Sequence, residues 1–387
     1  MHIARERLHN QLLASPPVTT PADVVRHLGA VQAQEFPLAK WALGLRIAGA
    51  TDSLIEDAFA RGDILRTHVL RPTWHFVTPS DIRWMLGLSG PRVLTTYASY
   101  YRKLGLDGAT LRRAMRVLER LLRGGRHLTR APIRAAFAKA GIAIDSMRFG
   151  FILLHAEFEA LICSGPRAGK QFTYALLEER VPPAPMRSRE DSLSELTRRY
   201  FSSHGPAQLA DFIWWSGLRT ADARAGIEML GTHLVRESID GATYWFPPPA
   251  GVPRPASRAA YLLPIYDEYL IAYKDRSASY VPPSATQRRP DNIAFTSPLV
   301  LGGRVAGTWR RAQAADGAVH VAVQPFAPLG PTARRAVGRA AAHYAAFLGQ
   351  PVRVTGMELA PRQDGGHDAA ARTGHRDRRP AAGAPRG

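Results

Sequence analysis

Between Val31 and Pro37 the chain reads Val-Gln-Ala-Gln-Glu-Phe-Pro. Gln32 and Gln34 are two residues apart, a spacing that diverges on a helix and shares one side of an extended segment. Phe36 precedes Pro37, whose ring disfavours helical geometry at the residue before it. The stretch is therefore expected to span a break between helices, with both amides turned toward one cleft. An amide is no effective general base, but its carbonyl oxygen accepts hydrogen bonds and carries a fixed dipole. Two such oxygens can hold a water molecule and stabilise a developing cation. Two solvated amides at a helix end are the alternative.

Other chemistries are excluded by what the chain lacks. Gly169-Lys170 is followed by Gln171, so no Walker A phosphate loop is present, and no Gly-x-Gly-x-x-Gly follows a strand. His-Glu-x-x-His and Gly-x-Ser-x-Gly are missing too. His155-x-Glu157 has the spacing of the zinc deaminases, but Cys163 is the single cysteine and the pair they need is absent. One cysteine also rules out internal disulfides and cysteine zinc knuckles. Neither a metal nor another cofactor is expected.

The elements that must position the glutamines follow from local signals. Thr19-Thr20-Pro21 is a helix start, continued by Val24, Val25, Leu28 and Val31. Further helices fit Pro37 to Leu45 and the stretch opened by Asp52, with Leu54, Ile55, Ala58 and Phe59 facing a core. Ile64–Leu70 and Thr73–Val77 alternate as β-strands around Arg71-Pro72, a hairpin pattern. Helices followed by a hairpin make a winged helix. In this hairpin Thr73 and His75 share a face, with Trp74 on the other side as a core residue.

The same order recurs twice: Leu111–Leu122, Leu128–Ala140 and Phe149–Ile162 before Gln171–Tyr174, then Leu193–Phe201, Gln208–Ser216 and Ala221–Leu230 before a hairpin at Asp240-Gly241. Proline-rich stretches at Pro182–Pro185 and Pro247–Pro255 separate units. The fold class read from the sequence is α+β: three tandem winged-helix units at 1–95, 96–185 and 186–250, then a β-rich C-terminal module at 251–360. Residues 361–387 hold no Val, Ile, Leu, Met or aromatic residue and are expected to be a disordered tail.

Charge points to the partner. The 387 residues carry 51 Lys and Arg against 32 Asp and Glu, a net charge of +19, while 45% are hydrophobic. The tail's six arginines and three aspartates account for little of that excess. A basic globular chain calls for a polyanion, most simply nucleic acid. No apolar run reaches the ~18 residues that cross a bilayer, and the N-terminus lacks a signal-peptide core, so a cytoplasmic, nucleoid-associated protein is expected without membrane contact.

In sequence order, Leu28–Gln34, Leu65–Val77, Gly205–Leu218, Leu263–Arg276 and Gly307–Arg311 resemble segments of the winged-helix DNA glycosylases of the AlkZ and YcaQ type. Gln32-Ala33-Gln34 is similar to the AlkZ version of the family's Gln-x-Gln catalytic motif; the YcaQ version has Asp in the second position. The resemblance covers roughly residues 5 to 355. It implies a C-shaped molecule around a basic cleft and a monomeric, monofunctional glycosylase. The implied substrate is bulky N7-alkylguanine in double-stranded DNA, including interstrand crosslinks. It also implies catalysis by Gln32 and Gln34, with Arg71, Thr73, His75, Lys274 and Arg276 binding DNA or lesion. Asp267, Tyr269, Lys274 and Arg276 equally suit a structural ion-pair network. The competing function is a non-catalytic winged-helix DNA binder such as a regulator, although the chain shows no heptads or dimerisation helix.

Overall fold

Thr20 sets the first landmark: its Oγ1 accepts the Asp23 N–H at 3.2 Å, Pro21 occupies the first turn, and the helix Pro21–Leu28 ends at Gly29 with φ +85°. The chain then extends as β1 (Val31–Gln32) before turning into the helix Phe36–Gly44. Thr51 caps the helix Asp52–Arg61, which Gly62 stops with φ +89°. The hairpin follows as β2 (Leu65–Val69) and β3 (Thr73–Val77). β3 lies in the middle of an antiparallel sheet of order β1-β3-β2, with Gln32 and Thr67 both opposite His75. The extended break predicted around the glutamines is thus a two-residue edge strand, fixed by pairing with β3.

The structure is a computed structural model that describes residues 2–14, 18–185, 187–248, 258–280, 292–313 and 318–357. The expected tail at 361–387 and residues 249–257 of the second proline-rich stretch lie outside the described residues. The architecture is α+β. Helices Gly108–Leu122, Arg130–Lys139 and Ser146–Phe158 precede a hairpin of Ile162–Ser164 and Tyr174–Leu176. Helices Arg189–His204, Leu209–Ser216 and Thr220–Leu230 precede a second, Val235–Ile239 with Ala242–Phe246. Its turn is Asp240-Gly241, both residues at positive φ. The helix Pro79–Thr96 has only a broken sequence signal, interrupted by Gly87, Gly90 and Pro91. Burial of Ile82, Met85, Leu86, Leu88 and Val93 holds it helical instead.

The C-terminal sheet has the order Val352–Thr355, Val319–Pro325, Arg304–Gln313, Pro298–Leu301, Ala260–Leu262. Val319–Pro325 and Val352–Thr355 pair in parallel and are joined by the helix Pro331–Leu348. That sheet and the N-terminal helices share one core. Trp41 Nε1 donates to Leu262 O and Trp309 Nε1 to Leu263 O, each at 2.7 Å, while the Trp41 ring meets Tyr344 and Phe347. Gly44 is required there, since a Cβ would come within 2.5 Å of the Phe347 ring. A second core joins Leu65, Val69 and Val77 to Tyr200, Phe212, Trp215 and Tyr273, setting residues 200–215 and 272–273 beside the glutamine-bearing sheet.

Candidate active site

The Gln32-Ala33-Gln34 segment is held through its backbone from both sides. Gln32 N–H donates to Glu268 Oε1 at 3.0 Å, and Ala33 N–H donates to Trp74 O at 2.7 Å. Ala33 O accepts Arg66 Nε at 2.8 Å. Arg66 is itself clamped between Trp74 and Phe172, its guanidinium 4.2 and 4.3 Å from their ring centres. Burial lowers the Arg66 guanidinium to about 10. Trp74 therefore clamps Arg66 from the far face of the hairpin and is only partly buried, rather than sitting in a core.

The side chains meet as the spacing predicts. Gln32 Nε2 donates to Gln34 Oε1 at 2.8 Å, and Gln32 Oε1 accepts Arg71 Nη2 at 3.1 Å. Gln32 is buried and Gln34 exposed. A guanidinium only donates, so Arg71 fixes which end of the Gln32 amide is oxygen. That leaves Gln32 Nε2 as the donor and makes the meeting atom of Gln34 its oxygen. Arg71 thus orients both amides. Burial pulls its guanidinium below the ordinary value, and the field of Glu268 opposes that pull.

Beneath this pair lies a buried acid. Glu268 opens the short helix Glu268–Ile271 behind the capping Asp267. Its Oε2 accepts Trp215 Nε1 at 2.9 Å and stands 3.4 Å from His204 Nε2. Burial works against its charged form, but His204, His75 and the Gln32 N–H outweigh it and hold the carboxyl below its ordinary value. Burial likewise holds His204 down.

The other expected site residues take varied places. His75 is fully buried on the Gln32 face; its Nδ1–H donates to Thr73 O at 2.9 Å, and burial, aided by Arg71, pushes it down to about 4. It is a buried, neutral imidazole beside Gln32. Thr73 shares that face, with its Oγ1 buried. Arg276 comes to the site through Trp214: the Arg71 and Arg276 guanidinium carbons lie 5.5 and 5.8 Å from the indole centre. Trp214 is 37% exposed and anchored by its Nε1–H to Ile271 O at 2.8 Å. Lys274 is exposed; its backbone N–H donates to the buried Asp211 at 2.9 Å, and the glutamines' side-chain hydrogen bonds go to each other and to Arg71 instead. Asp267 is structural, its two oxygens gripping the buried Arg46 at 2.8 and 2.9 Å. Tyr269 is structural too, its OH donating to Gly303 O at 2.7 Å. Glu157 of the deaminase-like spacing pairs with His68 of β2.

A model of the AlkZ-like DNA glycosylase family matches residues 25–347. This chain belongs to that family. Similar to it is the interstrand DNA cross-link repair glycosylase of Streptomyces sahachiroi, 23% identical over 367 residues that span 90% of this chain and 97% of the relative. The solved structure of Streptomyces sahachiroi DNA glycosylase AlkZ has the same fold, with a TM-score of 0.74 and 22% identity over 92% of this chain and 98% of that one. As an AlkZ-like glycosylase the chain is an enzyme, which decides against the regulator. Glu268, Trp214 and Trp215 join the glutamines and Arg71 only in the folded chain. The available signals were an acidic residue in the apolar run Leu262–Tyr273 and two adjacent tryptophans beside a helix stop.

Proposed function

We propose that this AlkZ-like enzyme hydrolyses the N-glycosidic bond of bulky N7-alkylguanine in double-stranded DNA and unhooks interstrand crosslinks made through that position. The observation that carries this reading is the Arg71–Gln32–Gln34 chain of hydrogen bonds, which turns the exposed Gln34 into a fixed acceptor. Alkylation at N7 makes the purine cationic. When the bond from C1′ to N9 breaks, its electron pair neutralises the base, which leaves without a proton from the enzyme. The deoxyribose becomes an oxocarbenium ion, water adds to C1′, and the water's proton passes to solvent.

In this reading Gln34 Oε1, with one lone pair taken by Gln32, uses the other to hold the attacking water, and the amide dipoles face the sugar cation. Uncharged, undamaged bases are poor leaving groups, and amides supply no acid to help them. Trp214, flanked by Arg71 and Arg276, offers an aromatic face to the extruded nucleotide, and Lys274 adds a phosphate contact. The crosslink element is supported by the Streptomyces relative, which is named an interstrand DNA cross-link repair glycosylase. The helix-and-hairpin groups at 1–95, 96–185 and 186–250 act as three winged helices which, with the 251–360 module, curve around the duplex. The enzyme works as a monomer, among nucleoid DNA. Among the described residues no helix is long and apolar enough to cross a membrane.

Duplexes carrying a single N7-methylguanine or a nitrogen-mustard crosslink test this. Release of free base from the first and of separable strands from the second is expected, with abasic sites left behind. Tight binding without base release from either would overturn the proposal.

A further inference from the structure

The site poses an electrostatic problem. Excision moves positive charge from the purine to the sugar, yet the group that orients both glutamines is a guanidinium. A fixed cation beside a forming cation slows the step unless a nearby negative charge offsets it. Glu268 is placed to do so. Its carboxylate is about 1% exposed, and its hydrogen-bond donors are the neutral Gln32 backbone N–H at 3.0 Å and the neutral Trp215 indole at 2.9 Å. Its one ionisable contact among the described residues is His204 Nε2 at 3.4 Å, an imidazole that burial holds down. Among the described residues no lysine or arginine forms an ion pair with it, so no permanent cation cancels its charge at contact. The charge does reach the site, since its field acts on both Arg71 and His75. A buried carboxylate without a cation at contact is costly to keep, and such groups concentrate at functional sites.

We infer that Glu268 is a positioning residue for excision: it fixes the strand carrying Gln32 through the backbone N–H and supplies the negative potential that offsets Arg71 where the sugar cation forms. This rests on the reading of Gln32 and Gln34 as the site. It explains how a motif without a carboxylate stabilises a cation: the negative charge enters from below, through residue 268, instead of from residue 34.

The decisive probe is binding to two uncleavable duplexes, one with a cationic pyrrolidine in place of the damaged sugar and one with a neutral tetrahydrofuran. The parent enzyme should prefer the pyrrolidine duplex. Glu268→Gln, nearly the same shape without the charge, should lose that preference by ten-fold or more while binding the neutral duplex as well as the parent or better. It should also slow single-turnover excision on the order of 10²-fold, as removal of one preorganised electrostatic group does. Trp215→Phe, which deletes a hydrogen bond and leaves the charge, should keep the cation preference. A purely structural role would lower melting temperature and affinity for both duplexes alike. Should Glu268→Gln fail to fold, Glu268→Asp serves, and must retain the preference because the charge remains. Parent-like discrimination in Glu268→Gln, or no preference in the parent, overturns the inference. Gln34→Ala separates the two readings: if it excises at the parent rate the site assignment fails, whereas a slow Gln34→Ala beside an unaffected Glu268→Gln sinks only the role of Glu268.

Discussion

Gln34→Ala isolates catalysis from folding better than any other change at the site. Gln34 is exposed, and its side-chain hydrogen bond is the 2.8 Å contact from Gln32 Nε2. Losing a neutral hydrogen bond costs about 0.5–1.5 kcal/mol at most, and less where water replaces the partner. A chain this long should then shift its melting temperature by no more than a few degrees. The rate should respond far more. If Gln34 Oε1 holds the water, its removal deletes one preorganised contact to the transition state, worth ~10²–10³ in rate or about 2.7–4 kcal/mol. Gln32→Ala is less clean, because it also strips the partially buried Arg71 guanidinium of its 3.1 Å acceptor. The assay is single-turnover excision, with enzyme in excess over a duplex bearing one N7-methylguanine and released base quantified by chromatography. Affinity for the intact lesion duplex is measured in parallel and should stay within about three-fold of the parent, because one neutral exposed amide is a small part of a phosphate-dominated interface. Gln34→Glu is the control: it keeps an oxygen where Gln32 Nε2 donates and should retain activity if the acceptor is what matters. Excision by Gln34→Ala at the parent rate would refute the assignment and leave the pair as solvated amides at a strand end.

Three further outcomes follow from the same geometry. His75 is held at about 4 in the fold against 6.5 in the open chain, so on acidification the unfolded chain takes up its proton first. Stability should therefore fall between about pH 6.5 and pH 4, by on the order of 3 kcal/mol from this residue. His27 and His204 steepen the parent's slope in the same direction, so the readout is a smaller acid-induced drop in melting temperature for His75→Phe; identical slopes would count against a buried neutral imidazole. Asp267→Ala strands the buried Arg46 guanidinium and should cost about 3–5 kcal/mol in urea unfolding, and a loss under ~1 kcal/mol would show that the pair is not structural. Duplex affinity should drop on the order of 10³-fold or more between ~50 and ~200 mM salt, with little dependence on sequence, whereas a flat salt response would rule out phosphate contacts as the main source of binding.

Much of the frame was legible in the chain because short-range physics wrote it there. Thr20 and Thr51 cap helices, Gly29 and Gly62 stop them, and Asp240-Gly241 turns a hairpin, each through atoms within a few residues. The meeting of Gln32 with Gln34 is of the same kind, since two-residue spacing on an extended segment brings two amides to one side. The basic excess of the composition named the partner class on equally simple grounds.

What the sequence left open depends on contacts between residues far apart in the chain. Arg71 reaches Gln32 across 39 positions and Glu268 reaches it across 236, so no local pattern could show that the amides are oriented by one and underlaid by the other. The type and strand position of His75 suit a residue that meets DNA or lesion; only the tertiary packing around the hairpin buries it and pushes it down to about 4. Pro91 and two glycines masked a helix whose burial decides its conformation. Protonation states and side-chain direction at this site are set by the field and volume of neighbours distant in sequence, and those exist only once the chain has folded.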